Sequence, residues 1–280
     1  MPSLKADLHV HTNESDGSLG VEETIRISLE KGLDILAITD HETTAGVEKA
    51  QILAKDTGLK IIPGFELSTY YKDQEIHLLG YYKDIENNRL QDKLNTLRNE
   101  RTAITRHMVE KLNTMGLNVT WRAIEESASL NGVVSKSHIF YALWNNDTYN
   151  NRVNWEDLAL WLKPGGMAYV PYEGNPFPEA VDFIYKTGGF PVLAHPGLIV
   201  DQTVIKDLLD YRPIGIEVYY GYWHDRDEKV AFYEKLAQRY GYMSTGGSDY
   251  HGFFSHIGIG DVLVPDTCIQ TLKEYLEIDE

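Results

Sequence analysis

The chain has a single cysteine, Cys268, so no disulfide can form within it, and a reducing compartment is expected. It has no apolar run approaching the ~18 to 20 residues that a membrane helix needs. Met1 to Ala6 leads into a strand-like segment rather than a secretory signal. The expectation is a cytoplasmic protein with no membrane partner. Positive charge is scarce: 26 Lys and Arg stand against 42 Asp and Glu, giving a net charge of −16. Stable binding of long nucleic acid normally needs a basic face, so long nucleic acid is not an expected partner. Short or single-nucleotide substrates stay open, because a bound divalent cation would reverse the sign locally. Low-complexity tracts and fixed-period repeats are missing as well. The 280 residues are therefore expected to build one large core, or one core with an inserted subdomain.

What is present alternates. Lys5 to Val10 reads as a short strand, and Leu19 to Lys31 as a helix stopped by Gly32. Leu33 to Thr39 is an apolar run suited to a buried parallel strand, and Thr43 to Asp56 reads as a helix before Gly58. Leu59 to Leu67 and Glu75 to Tyr82 read as two more strands. Such alternation predicts parallel βαβ units. From about Arg89 to Leu162 the pattern turns helical. Ile104, Met108 and Leu112 form a stripe, Gly116 follows it, and Trp121 to Leu130, His138 to Leu143 and Trp155 to Leu162 are further helices. After Pro164, Gly165 and Gly166 the alternation resumes, with strands at Phe190 to Ala194, Ile214 to Tyr219 and Tyr242 to Gly246. Helical stretches near 201–210 and 225–240 separate them. The reading is an α/β barrel with a helical insertion: barrel at 1–96, inserted cap at 97–165, and barrel again at 166–280.

Side chains in a strand alternate faces, so His9 and His11 in Asp7-Leu8-His9-Val10-His11-Thr12 point the same way, as two imidazoles sharing one cation must. Alone, that pair is weak. Other strand ends carry the same chemistry: Thr39-Asp40-His41, Gly64-Phe65-Glu66, Ala194-His195-Pro196 and Gly247-Ser248-Asp249-Tyr250-His251-Gly252, with His77 inside the fourth strand. In α/β barrels catalytic residues sit at the C-terminal ends of strands. The helical middle holds only His107 and His138 of the ten histidines. Neutral imidazoles with carboxylates bind zinc, manganese or iron, and such metals generate hydroxide at neutral pH and stabilise phosphoryl charge.

These motifs, with Ser15-Asp16-Gly17 and His77-Leu78-Leu79-Gly80-Tyr81, stand in one order that closely resembles the PHP (polymerase and histidinol phosphatase) family over about 1–85 and 165–256. The resemblance implies a distorted (β/α)7 barrel with two or three divalent metal ions. It also implies a metal-dependent phosphoric ester hydrolase using a metal-bound hydroxide. By the same resemblance His9, His11, Glu66 and Asp249 hold the first metal, and Glu66 bridges to a second held by His77 and His195. Asp16, His41 and His251 hold a third. Some three-metal members have a histidine where Asp16 stands. Lys136-Ser137-His138 and Ala168-Tyr169-Val170-Pro171 look like segments of one subgroup, small phosphoesterases with a helical insertion that act on nucleotides or short RNA. Lys136 stands where that subgroup usually has Arg.

Lys136 is accordingly expected to hold a substrate phosphate and His138 to protonate the leaving oxygen, unless Ser135 to Ser137 merely starts a helix. Arg101 and Arg106 are solvent-facing by default, and Arg106 is kept as a candidate substrate contact. Asp7 either orients a ligand or is a surface carboxylate. Asp40 reads as an orienting or helix-capping residue, and Glu217 as a pocket-lining or loop-bonding one. His107, His224 and His256 have no motif around them, and the tryptophans are expected to pack the cap. The expected substrate is a nucleotide, a nucleoside 3′,5′-bisphosphate or a short oligonucleotide end, with inorganic phosphate as a product. The alternatives are a histidinol-phosphate phosphatase, or a catalytically silent ligand-binding or regulatory module.

Overall fold

Buried strands covered on both faces need near-continuous apolar runs, and this chain supplies several short ones. A computed structural model describes residues 4–128, 133–144, 154–222, 224–252 and 255–278. The chain begins with β1 (Ala6–Val10), α1 (Val21–Glu30), β2 (Ile35–Ile38), α2 (Ala45–Ala54), β3 (Lys60–Tyr71) and β4 (Gln74–Tyr81). Then come the helices α3 (Asn88–Thr114), α4 (Trp121–Glu125), α5 (Lys136–Trp144) and α6 (Trp155–Leu162). The alternation resumes with α7 (Phe177–Lys186), β5 (Phe190–Leu193), α8 (Val204–Tyr211), β6 (Gly215–Tyr220), α9 (Arg226–Tyr240), β7 (Ser244–Gly247) and α10 (Asp266–Tyr275).

The strands form one seven-stranded sheet in strict chain order. It curls back on itself: Asp249 N donates to His9 O at 2.8 Å and His11 N to Tyr250 O at 3.0 Å, joining the end of β1 to the segment after β7. The approach there is too close for a side chain. A Cβ on Gly247 would lie 2.4 Å from His9 N, so the closure itself requires glycine.

Most neighbouring strands are parallel, as the alternation predicts, but β4 is not. It runs antiparallel to both β3 and β5. Lys72 and Asp73, with φ of 46° and 61°, make a two-residue turn of the kind that joins hairpin strands. A link that short cannot carry a parallel crossover. The reversal matters for the site. It places the early part of β4 beside the end of β5, where Ala194 N donates to His77 O at 3.1 Å, so His77 and His195 come together at one end of the barrel.

The outer helices bury one face each. In α7, Phe177, Ala180, Val181 and Ile184 follow the helical period and pack on the barrel. Helix α3 has 27 residues and serves two cores. Its first half puts Leu90, Leu94 and Leu97 into the barrel cluster, and its second half puts Met108, Val109 and Leu112 into a separate one with Ile124, Ile139, Leu143, Leu158 and Leu162. At ~1.5 Å rise per residue such a helix spans roughly 40 Å, long enough to reach from one core to the other. Trp121, Trp155 and Trp161 pack against that second cluster, whereas Trp144 is exposed, its ring 5.3 Å from that of Trp155. Part of the expected Trp121–Leu130 helix lies outside the described residues. None of the described helices is long and apolar enough to cross a membrane.

Candidate metal centre

The pleat of β1 turns His9 and His11 to the barrel axis, where their Nε2 atoms stand 3.1 Å apart. Glu66 Oε2 approaches them at 3.4 and 3.3 Å, and Asp249 Oδ1 at 3.2 and 3.1 Å. On the other side of Glu66, Oε1 lies 3.0 Å from both His77 Nδ1 and His195 Nε2. Asp16 Oδ1 faces His251 Nε2 at 3.4 Å, His11 Nδ1 at 3.9 Å and His41 Nε2 at 4.0 Å. Every residue expected to hold a metal thus enters one connected cluster centred on Glu66.

Three donor groups stand out, each with its atoms within 4.8 Å of one another: His9, His11, Glu66 and Asp249; His41, Glu66 and His77; and His11, Asp16, His41 and His251. The first is the set that the sequence implies. In the others His11 and His41 are shared between neighbours, and His195 reaches the second group only through Glu66. His11 Nδ1, Asp16 Oδ1, His41 Nδ1 and Asp249 Oδ1 are buried without a hydrogen-bond partner. Buried polar atoms are normally paired, so a convergence of unpaired imidazole nitrogens and carboxylate oxygens fits divalent cations that accept mixed N and O donors.

A ring of buried groups holds these donors. Glu217, fully buried in β6, accepts from His9 Nδ1 at 2.9 Å and from His195 N at 2.7 Å, which leaves His9 Nε2 free to face the cluster. Asp7 accepts from Ser248 N at 2.9 Å and Gly260 N at 2.8 Å, so it fixes the loop that presents Asp249 rather than facing solvent. Asp40 accepts from Thr12 N and Thr12 Oγ1, both at 2.7 Å, and from Ser15 Oγ at 2.5 Å, tying down the loop that carries Asp16; burial pushes its carboxyl up to about 6. Tyr220 donates to Asp249 Oδ2 at 2.9 Å. His251 donates its Nδ1–H to Asp249 O at 2.9 Å, which aims Nε2 at Asp16.

Three of the residues around the cluster have strained backbones. Glu42, His195 and Asp249 have φ of 48°, 26° and 52°, a region that non-glycine residues rarely adopt. Each amide is held, by Glu66 O, Glu217 Oε2 and His9 O respectively.

Burial alone would raise the carboxyl groups of Asp16, Glu66 and Asp249, but the imidazoles around them hold all three well below the usual carboxylate range. Burial would likewise lower the histidines, yet Glu66 and Glu75 push His77 up to about 10, and Asp16 and Asp249 push His251 up to about 10. Metal and protons therefore compete for the same atoms. In the metal-free protein an imidazole whose pKa is raised stabilises the fold below its ordinary value of 6.5, and that stability is lost as pH rises towards about 10. The chelated protein is expected to melt at progressively lower temperature from pH 6.5 to 10, while metal-loaded protein keeps its Tm over the same range. Thermal melts with and without chelator check this; a chelated Tm that rises with pH contradicts it.

The residues assigned to substrate fall in different places. Lys136, at the start of α5, is partly exposed, with Nζ 4.0 Å from Glu75 Oε2. His138 has another occupation. It is buried, burial pushes its pKa down, and its Nδ1 accepts from Ser135 N at 3.0 Å. Ser135 and Ser137 in turn each donate to Asp16 Oδ2 at 3.0 Å. This neutral imidazole braces the start of α5 against Asp16, and so is poorly placed to donate a proton to a leaving group.

Arg106 is exposed on the outer face of α3, its guanidinium 4.5 Å above the Trp121 ring and 3.8 Å from Glu125. The ring and the carboxylate hold it away from the cluster. Arg101, one and a half turns earlier, points inward instead. It bonds Ser68 Oγ and lies 3.4 Å from Glu42 Oε1, in a recess of only about 30 Å³ shared with Glu75, Lys136 and Tyr169. His107, His224 and His256 are exposed.

A family model described as PHP domain matches residues 7–163. The chain is 29% identical over 256 residues to the phosphoribosyl 1,2-cyclic phosphate 1,2-diphosphodiesterase of Eggerthella lenta, covering 90% of this chain and 95% of that protein. It is also 29% identical over 250 residues to the 3′,5′-nucleoside bisphosphate phosphatase of Chromobacterium violaceum, covering 88% and 86%. Its fold superposes with a TM-score of 0.86 on a crystal structure from Bifidobacterium adolescentis, at 24% identity and with 98% and 97% of the two chains covered.

Proposed function

We propose, from the premise that this chain belongs to the PHP domain family, that its metal-dependent phosphoesterase chemistry acts on phosphomonoesters of small nucleotides. Nucleoside 3′,5′-bisphosphates lead the substrate class, and short oligonucleotide ends come next. The observation that carries this reading is the convergence of imidazoles and carboxylates on Glu66, with both of its oxygens engaged from opposite sides. The names of the two relatives, a diphosphodiesterase and a nucleoside bisphosphate phosphatase, support the substrate class.

In this reading His9, His11, Glu66 and Asp249 hold one cation, Glu66, His77 and His195 a second, and Asp16, His41 and His251 a third. Two or three divalent ions, manganese, zinc or iron, would supply Lewis acidity and lower the pKa of water there. The chain's own part is orientation and charge. Glu217 fixes the tautomer of His9, and Tyr220 fixes the Asp249 carboxylate. Lys136 binds a phosphate oxygen of the substrate, drawing away from Glu75 to do so. The helical segment above the mouth, near 97–165, selects what enters. Inorganic phosphate is the product.

Parallel assays on adenosine 3′,5′-bisphosphate and histidinol phosphate test the substrate class. Higher kcat/KM on the bisphosphate supports it, and preference for histidinol phosphate would overturn it. Lys136→Ala is expected to raise KM about tenfold and leave kcat within about threefold, since a charge-assisted hydrogen bond contributes ~1.5–3 kcal/mol. Arg106→Ala is expected to change neither constant. Steady-state kinetics on the bisphosphate read both; an unchanged KM in the Lys136 variant removes that residue from substrate binding.

A further inference from the structure

We infer that the groove over the metal centre has two lobes, and that the lobe beside Asp249, walled by three tyrosines, seats the heterocyclic base of a nucleotide. The inference rests on the phosphoesterase reading above and adds which part of the substrate goes where.

One lobe, a cavity of about 340 Å³, opens on His77 and His195 and has Lys136, Asp73 and Glu75 in its wall beside Ile199 and Val200. The other, of about 330 Å³, opens on Asp249 and His251. Leu198 lines both and forms the ridge between them. The described residues lining the second lobe include no Lys or Arg, and they do include the Asp249 carboxylate. Both lobes carry carboxylates, but only the first also offers a lysine, Lys136, to a second phosphate.

The apolar surface of the second lobe is aromatic: Tyr141, Tyr220 and Tyr222, with Ile257 and the backbone of Gly221. Every nucleobase has a π-face, and stacking on such rings is the common way to hold one without sequence preference. The rings are fixed by their hydroxyls. Tyr141 donates to Asp16 O at 3.0 Å and lies 3.2 Å from His251 O, Tyr220 donates to Asp249 Oδ2 at 2.9 Å, and Tyr222 accepts from Gly197 N at 3.0 Å. Rings already held lose little freedom when a ligand arrives. Gly221 keeps its stretch of the wall to bare backbone, since a Cβ there would lie 2.6 Å from Ile257 Cγ1. A molecule that fills both lobes has a ring, a phosphate over the metal centre and a second anion towards Lys136. That is the shape of a nucleotide with two phosphates.

The test uses zinc-loaded full-length protein and AMP as the probe, with saturation-transfer NMR as the readout. Base protons H2 and H8 are expected to receive at least as much saturation as the ribose protons, and Ile257→Trp, which fills the lobe, is expected to remove it. The wild-type measurement stands even if that variant fails to fold. Saturation confined to the ribose, or base saturation that persists in a folded Ile257→Trp protein, overturns the inference. A parallel turnover assay separates the two claims: kcat/KM on adenosine 3′,5′-bisphosphate is expected to exceed that on abasic ribose bisphosphate about tenfold. Base saturation without turnover on any phosphoester leaves the base seat standing and sinks the reaction. Equal turnover on both substrates leaves the reaction standing and sinks the base seat.

Discussion

Glu66→Gln is expected to lower kcat/KM for phosphate release about a thousandfold or more, and to cut the bound metal to one ion per chain or fewer. The substitution keeps the size and shape of the side chain, removes its charge and turns one acceptor oxygen into an amide donor. Glu66 Oε2 faces His9, His11 and His41, at 3.4, 3.3 and 3.4 Å, while Oε1 faces His77 and His195 at 3.0 Å each. No other side chain among the described residues spans as much of the cluster. An uncharged amide cannot bridge two cations, and losing several kcal/mol of charge stabilisation is worth about three powers of ten in rate. The imidazoles that Glu66 now helps to keep charged in the metal-free protein would also lose a partner, so the chelated variant should melt below the chelated wild type. Kinetics, elemental analysis and melts on one preparation give all three readouts. A variant with full metal and wild-type kcat/KM would remove Glu66 from the centre.

Glu217→Gln comes second in expected effect and probes support rather than ligation. Glu217 makes no contact with solvent and bonds both His9 Nδ1 and the strained His195 amide. Replacing a carboxylate behind a ligating histidine typically costs ~10- to 100-fold in metal affinity or activity. The expected signature is a metal titration shifted to higher concentration by about that factor, with activity largely recovered at saturating manganese or zinc. Recovery is what separates this role from a ligand's, because the Glu66 variant should not recover. An unshifted titration would mean that Glu217 serves the fold alone.

Much of the centre was legible from the sequence because strand-end histidines and carboxylates have few other reasons to recur in order. The structural neighbour and the family model bear out the PHP-type barrel. Other features hid for identifiable reasons. The direction of β4 depends on a two-residue turn at Lys72 and Asp73 that carries no glycine to announce it. Helix α7 begins with Pro176 at its cap and Pro178 in its first turn, where proline serves as a start signal as readily as a breaker. Helix α10 has only a short apolar stripe, Cys268, Ile269 and Leu272, continued by Leu276 at its cap, packed against the barrel.

Arg101 was recoverable. It lies in helical register with Thr105, Met108 and Leu112, on the buried face of α3, whereas Arg106 lies a hundred degrees away from Thr105 and faces out. Glu217 gave a fainter signal, a lone carboxylate in the otherwise apolar and aromatic Gly215–Tyr220 strand. Its partners, His9 and His195, are some two hundred and some twenty residues away, and only the closed barrel brings them together.

The most direct test of the central claim is elemental analysis of the purified protein, paired with phosphate release from adenosine 3′,5′-bisphosphate before and after chelation. The account predicts two or three divalent ions per chain, release that stops when they are removed, and release that returns when manganese or zinc is restored. Protein that binds no metal under any condition, or that releases phosphate equally well without it, would contradict the account.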